Sequence, residues 1–161
     1  MPPTLKMMMD TTLTTIPEIQ LIGLDLGRTT TNENGQSSKD GGKLWHTFES
    51  GQYADRIQNK TSEEIYAVYY GYEGDHTAPF RYFIGCSVED NSSVPEGMNR
   101  LTIPEGKYQK ITASGRMPDC MVSAWKEIWS SDLERSYRID FECYDERSKN
   151  WEDAMVDIYL S

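Results

Sequence analysis

The segment at residues 138–145, Arg-Ile-Asp-Phe-Glu-Cys-Tyr-Asp, places a carboxylate in the middle of an alternating pattern. Polar and apolar side chains take turns along it, which predicts a half-buried β-strand. Glu142 then shares one face with Asp140 and Tyr144, while Phe141 points to the other face. Carboxylates are mostly exposed, so a solvated surface charge is the simpler interpretation of Glu142. The alternative is the floor of an anionic pocket.

The elements predicted around this strand follow one order twice: strand, helix, strand, strand. Apolar residues at helical spacing and runs of β-branched and aromatic residues identify them. In the first half they span residues 18–26, 43–55, 64–72 and 80–88. In the second half they span residues 107–113, 119–131, 138–144 and 155–160. This repetition predicts an α+β fold made of a duplicated strand-helix-strand-strand unit with pseudo-twofold symmetry. A central ligand groove is expected where the halves meet.

The halves can be aligned on their aromatic residues. Trp45 and Trp125 take the same place in their helices, and Tyr72 and Tyr144 each end the strand that follows. This alignment predicts which residues of the first half share the groove face with Glu142: Tyr66, Val68, Tyr70 and Tyr72.

The chain of 161 residues is long enough for one domain with a substantial core. Residues 1–16 have no periodic pattern and are expected to form a flexible tail. A single domain is predicted over 17–161. Repeat one covers about 17–90 and repeat two about 104–161.

Composition excludes several classes of function. A formal net charge of −10 argues against direct nucleic-acid binding and is compatible with a cationic ligand, or with solubility alone. No apolar run is long enough to span a bilayer, and no secretory signal is present, so a cytoplasmic location without membrane association is expected. The three cysteines have no metal-type spacing, so we expect no metal and no cofactor.

Six short motifs occur in order from residue 19 to the C-terminus. They are Leu44-Trp45-x-x-Phe48, Ile65-Tyr66-Ala67-Val68-Tyr69-Tyr70-x-Tyr72-Glu73, Ile103-Pro104-x-Gly106-x-Tyr108, Trp125-x-x-Ile128-Trp129, Asp140-Phe141-Glu142-x-Tyr144-Asp145 and Val156-Asp157-Ile158-Tyr159. Together they resemble the GyrI-like small-molecule-binding family, the effector-binding domain of AraC-type regulators. The chain is expected to be of the stand-alone type, without a DNA-binding module of its own.

The resemblance implies a groove that binds amphipathic, cationic small molecules such as drugs and dyes. In this family a glutamate at the position of Glu142 supplies the negative charge. Aromatic walls would add cation–π attraction of about 0.5–2 kcal/mol for each good contact. The resemblance thus indicates a multidrug-binding sensor or sequestering module. The expected wall residues are Tyr66, Tyr70, Tyr144, Trp45, Phe48 and Trp125.

Two other functions stay open. Some relatives resemble hydrolases of cyclopropane-bearing natural products, and Glu142 would then act as general base, with Tyr70 or Tyr144 as proton donor. The sequence has no independent catalytic signature, which favours binding over catalysis. The gyrase-inhibiting relatives suggest an acidic module that binds a protein partner. A homodimer formed through an edge strand is also open.

Asp140 has two interpretations. If it lies beside Glu142, the two carboxylates would raise one another's pKa or hold water or a metal between them. Alternatively, Asp140 pairs with Arg138 at the start of the strand, and we favour this structural pairing.

Overall fold

The computed structural model describes residues 11–161, which form one antiparallel sheet of eight strands and three helices. The strands are β1 (Thr12–Ile16), β2 (Ile19–Asp25), β3 (Lys60–Tyr70), β4 (Arg81–Val88), β5 (Asn99–Ile103), β6 (Gly106–Gly115), β7 (Ile139–Tyr144) and β8 (Ala154–Leu160). The helices are α1 (Gln36–Ser50), α2 (Tyr53–Arg56) and α3 (Asp119–Ser130). The predicted α+β class is confirmed.

The sheet order β1-β6-β8-β7-β3-β4-β2-β5 forces the sheet to curl. Strands β5 and β6 stand six positions apart in this order, which is roughly 29 Å in a flat sheet. Only residues 104 and 105 join them, and such a link reaches at most about 11 Å. Residues 17 and 18 impose the same constraint on β1 and β2. Both ends of the sheet must therefore curve toward each other.

The order also contains the predicted duplication. Its six central strands, β6-β8-β7-β3-β4-β2, read as the same unit from either end, with β3 and β7 paired at the centre. The short strand that precedes each repeat pairs with the other repeat. Strand β1, before repeat one, pairs with β6, and strand β5, before repeat two, pairs with β2. The two repeats are therefore interlocked at both edges.

Strands β1 and β5 change the boundaries predicted from the sequence. Thr12–Ile16 pair with β6, so the tail predicted at residues 1–16 is too long. Residues 1–10 lie outside the described residues. Asn99–Ile103 fall in a segment with several prolines and glycines that reads as a connector. Both strands are short and lie at an edge, so their pairing depends on distant residues and not on their own pattern.

The core has two layers, one on each side of the sheet. The face inside the curl, here the inner face, is filled by one apolar cluster that includes Leu21, Val68, Phe83 and Phe141. The opposite face, here the helix face, carries α1 over one cluster and α3 over another. None of the helices in the described part of the chain is long and apolar enough to cross a membrane.

Helix α1 begins at Gln36, several residues before the predicted start at residue 43. Its first turns have no apolar periodicity in the sequence, and the periodic pattern therefore did not predict them. A buried polar network holds these turns in place. Asp40 is 1 % exposed and accepts hydrogen bonds from Arg28, Thr30 and Gln36. The guanidinium of Arg28 lowers the pKa of Asp40 to about 2, so this carboxylate stays ionised in its network.

Gly23 and Gly85 face each other where β2 and β4 pair, and this contact generates a prediction. A Cβ on Gly23 would lie 1.9 Å from the carbonyl oxygen of Ile84 and 2.4 Å from Cα of Gly85. Because backbone atoms cannot move aside without breaking the ladder, we expect Gly23→Ala to lower the free energy of unfolding by about 1–3 kcal/mol. Urea denaturation would measure the change.

Gly42→Ala is the matched control for this substitution. Gly42 is exposed in α1, and its Cβ would meet nothing within 4 Å. Alanine there should stabilise the helix by about 0.5–1 kcal/mol. Equal effects at the two glycines would contradict the close approach of β2 and β4.

Candidate functional site

A cleft of about 1440 Å³ lies on the helix face, where α1 and α3 flank the central pair β3 and β7. Residues from both repeats line it. Its aromatic surface is formed by Trp45, Tyr69, Tyr72, Phe80, Tyr82, Trp125, Trp129 and Tyr144. Glu142 also lines the cleft and supplies a carboxylate at its floor.

Glu142 is 2 % exposed and accepts three hydrogen bonds from uncharged donors. Its Oε2 accepts from Tyr69 Oη at 3.0 Å and from Trp125 Nε1 at 2.6 Å. Its Oε1 accepts from Tyr144 Oη at 2.7 Å. No Lys, Arg or His within residues 11–161 forms a salt bridge with it. The carboxylate is therefore held by dipoles and has no ion-pair partner in the described part of the chain.

Burial raises the pKa of Glu142 above its ordinary value, and the three hydrogen bonds oppose that rise only in part. Burial, together with the nearby Glu142 charge, raises the pKa of Tyr69 and Tyr144 well above that of free tyrosine. Both phenols thus remain protonated and act as donors. The ionised carboxylate is costly in this position, and a cation in the cleft would offset the cost.

The register of β3 against β7 explains why these residues meet. Glu142 pairs with Ala67, Tyr144 with Ile65, and Tyr69 with Asp140. The pseudo-twofold axis consequently passes between Ala67 and Glu142, and Tyr69 and Tyr144 are symmetry counterparts. They approach the carboxylate from opposite sides.

The two helix tryptophans are also counterparts, but they make different contacts. Trp125 donates to Glu142, whereas Trp45 donates to Tyr82 Oη at 2.9 Å. Trp45 packs edge-on against Tyr144, with ring centroids 4.8 Å apart. Trp125 packs against Tyr69 at 5.0 Å. The aromatic walls follow the symmetry, while the charge belongs to one repeat alone.

The structure brings together four of the residues expected at the groove, namely Glu142, Tyr144, Trp45 and Trp125. It places Phe48 elsewhere. Phe48 is 1 % exposed in the core beneath α1, where it stacks on Tyr53 with centroids 6.2 Å apart.

Tyr66 and Tyr70 lie on the inner face, away from Glu142. Tyr66 packs against Phe141, and Tyr70 Oη donates to Asp25. Their predicted place on the groove face is wrong. The prediction aligned Tyr72 with Tyr144, but Tyr72 lies beyond the end of β3, and the counterpart of Tyr144 is Tyr69. A displacement of three residues along a strand moves every side chain to the opposite face. Residues 65, 67 and 69 share the face of Glu142 instead.

Tyr72 does line the cleft, from a position just beyond β3, and its Oη donates to Asp140 Oδ2 at 2.6 Å. Asp140 is fully buried and pairs with Arg135, whose Nη2 lies 2.6 Å from Oδ2. The predicted pairing with Arg138 is wrong. Tyr137 has a positive φ of 53°, which turns the chain before β7 and leaves Arg138 exposed.

Sequence reasoning missed Tyr69, Phe80, Tyr82 and Arg135. The strand register would have identified Tyr69, but Arg135 lies in an irregular segment without a pattern. Within residues 11–161 no group of three His, Cys, Asp or Glu side chains is placed to hold a metal ion. Immediately around Glu142, the chemistry of the cleft is that of one buried carboxylate, neutral donors and aromatic rings.

Comparisons with known proteins agree with this architecture. Residues 12–161 match the family described as Cass2, integron-associated effector binding protein. The Vibrio cholerae integron cassette protein VCH_CASS2 is 25 % identical, with a TM-score of 0.66 over 94 % of this chain and 95 % of that one. The structure of SAV2435 bound to tetraphenylphosphonium superposes with a TM-score of 0.73 at 19 % identity, covering 94 % of this chain and 93 % of that one.

One curated relative is described as a transcriptional regulator. The transcriptional regulator BrlR of Pseudomonas aeruginosa is 32 % identical over 127 residues, or 74 % of this chain. The chain spans only 45 % of the length of BrlR. With the fold, these matches confirm the resemblance to GyrI-like effector-binding domains. The chain belongs to the Cass2 family of integron-associated effector-binding proteins and is an effector-binding domain related to transcription regulators.

Proposed function

We propose that this protein binds lipophilic organic cations in the cleft and acts as a sensor or sequestering module for them. Glu142 supplies the counter-charge, and the aromatic side chains of both repeats supply the walls. One observation carries the proposal: Glu142 is 2 % exposed and has no cationic partner among residues 11–161.

The carboxylate favours a particular kind of cation. An ionised carboxyl group has about four acceptor sites, and Glu142 already uses three of them. An ammonium group with several N–H donors would find one free site. A quaternary or delocalised cation needs none, because charge and aromatic contact hold it. The cleft thus suits lipophilic cations without N–H groups.

The walls fit the same class of ligand. Tyr69, Tyr144, Trp45 and Trp125 surround the carboxylate, and the cleft is large enough for a drug-sized molecule. SAV2435, which shares the fold, has been seen with the lipophilic cation tetraphenylphosphonium bound. BrlR supports a role in sensing, in which a bound effector would be reported to a transcription apparatus.

Removal of the Glu142 charge tests the proposal. We expect Glu142→Gln to weaken tetraphenylphosphonium binding by about 2 kcal/mol or more, a roughly thirtyfold rise in Kd, because the ligand loses the buried counter-charge at the floor of the cleft. Titration calorimetry gives Kd. Thermal unfolding gives the matching loss of ligand-induced stabilisation.

Glu127→Gln serves as the control, since it removes the same charge from an exposed position on α3 outside the cleft. Its affinity for tetraphenylphosphonium should remain within about twofold of the wild type. Equal affinities in the wild type and Glu142→Gln would contradict the proposed function.

The tryptophan pair predicts a pH dependence of binding. The cation binds the ionised form of Glu142, so its affinity should fall as pH drops through the raised pKa. The hydrogen bond from Trp125 lowers that pKa, so Trp125→Phe should shift the midpoint of the affinity profile to higher pH. Measurement of Kd for tetraphenylphosphonium against pH checks this.

Trp45→Phe is the symmetry-matched control, because Trp45 donates to Tyr82 and not to Glu142. It should weaken binding through lost wall area but leave the midpoint in place. If both substitutions move the midpoint equally, the hydrogen bond of Trp125 does not set the ionisation of Glu142.

The ligand-free protein should show the same ionisation in its stability. The folded-state pKa of Glu142 lies above the value of 4.5 for the free side chain, so the folded state binds the proton more tightly than the unfolded chain. This contribution is fully present below pH 4.5 and is lost as pH rises through the raised pKa. The wild type should therefore lose stability relative to Glu142→Gln over that range. Urea denaturation at a series of pH values would show it, and a constant difference would contradict it.

A further inference from the structure

Arg135 is a buried charge at one end of the cleft. Its side chain is 3 % exposed and lines the cleft. Nη2 donates to Asp140, and Cζ lies 4.3 Å above the ring of Tyr137. Nε and Nη1 are also buried, yet neither has a hydrogen-bond partner among residues 11–161. Two of the three nitrogen atoms of this guanidinium thus have no hydrogen-bond partner among the described residues.

A second unpaired atom lies in the wall of the same cleft. Nδ1 of His76 is buried and has no hydrogen-bond partner within the described residues. The ring stacks on Trp129 with centroids 5.8 Å apart and planes 7° apart. His76 comes from the loop between β3 and β4, and Arg135 from the segment between α3 and β7. Both repeats therefore contribute an unpaired polar atom to the cleft.

Unpaired buried donors are rare in folded proteins because each one loses its bonds to water without compensation. Here the unpaired atoms line a cleft large enough for a ligand, which could complete their bonding. The charge of Arg135 is already balanced by Asp140. A ligand anion would add a second negative group beside Asp140, whereas a neutral oxygen acceptor would not.

The spacing to Glu142 follows from the strand. Asp140 and Glu142 are two residues apart on the same face of β7, so their backbone positions are separated by roughly 7 Å. We propose that Arg135, assisted by His76, is a second subsite that donates hydrogen bonds to a neutral oxygen of the bound cation, such as that of a carbonyl, ester or amide group. This inference rests on the proposed function. It narrows the effector class to cations that also carry an acceptor oxygen, at a spacing from the charged centre on the order of the roughly 7 Å between those two backbone positions.

Three probes separate the two subsites. Tetraphenylphosphonium has the charge and no acceptor. Triphenylphosphine oxide has the acceptor and no charge. A tetraphenylphosphonium with a carbamoyl group at one para position has both, at a matching distance. Calorimetry would measure Kd for each probe with the wild type, Arg135→Lys and Glu142→Gln. Lysine keeps a cation beside Asp140 but lacks the planar guanidinium that carries the unpaired Nε and Nη1 donors.

We expect the carbamoyl probe to bind the wild type at least about tenfold more tightly than tetraphenylphosphonium, and this advantage to disappear in Arg135→Lys. Triphenylphosphine oxide should lose about tenfold in Arg135→Lys and stay within about twofold in Glu142→Gln. Tetraphenylphosphonium should lose affinity in Glu142→Gln and keep its affinity within about twofold in Arg135→Lys. Arg138→Lys, an exposed neighbour, is the control and should change none of the three values.

The outcomes distinguish the two proposals. If the wild type does not bind tetraphenylphosphonium but binds triphenylphosphine oxide with an affinity that depends on Arg135, the proposed function is rejected and the acceptor subsite is retained. Equal affinities of the two phosphonium probes in wild type and Arg135→Lys would overturn the acceptor subsite. His76→Phe keeps the ring on Trp129 and removes Nδ1, so an unchanged phosphine oxide affinity there would exclude His76 from it.

Discussion

Two short connections determine the architecture of this protein. Residues 17–18 and 104–105 each join strands that stand at opposite ends of the sheet, so an open, flat arrangement is impossible. The resulting curl encloses the inner-face cluster as one layer of the core. Helices α1 and α3 must then pack on the outside of the curl. The cleft follows from this, because it is the space that these helices leave uncovered over the central pair β3 and β7.

The position of the cleft on a pseudo-twofold axis explains both its symmetry and its single charge. A strictly duplicated sequence would place two glutamates next to each other at the axis, where each would raise the pKa of the other. Here the counterpart of Glu142 is Ala67, which is small and uncharged. Tyr69 and Tyr144 keep the symmetry and donate to the same carboxylate. The duplication thus places equivalent aromatic donors on both sides of the axis. The difference between Glu142 and its counterpart Ala67 makes the site anionic.

The sequence predicted the elements of the repeat, because those depend on local periodicity. The place of Glu142 in the groove was implied by the resemblance to the GyrI-like family, since periodicity alone favoured a surface charge. Sequence reasoning failed on the face of β3, since Tyr66, Tyr69 and Tyr70 are aromatic on both faces and alternation cannot choose between them. Only the pairing with β7 settles that choice, and this pairing is a long-range contact. The edge strands β1 and β5 were not predicted for the same reason, since their pairing is also a long-range contact. The contact between Arg135 and Asp140 was not predicted because it depends on an irregular segment of backbone, with a positive φ at Tyr137.

Charge and shape play different parts in the cleft. In the proposed function, Glu142 and the aromatic walls attract lipophilic cations of suitable size, and such contacts tolerate many arrangements of the ligand. Arg135 is different, because its guanidinium is planar and is fixed by Asp140 and Tyr137, so its remaining donors point in set directions. A ligand without an acceptor leaves those donors unpaired inside a buried site, which disfavours it relative to one that has an acceptor. Affinity for cations in general and preference among them are therefore separate properties, and they belong to different residues of the same cleft.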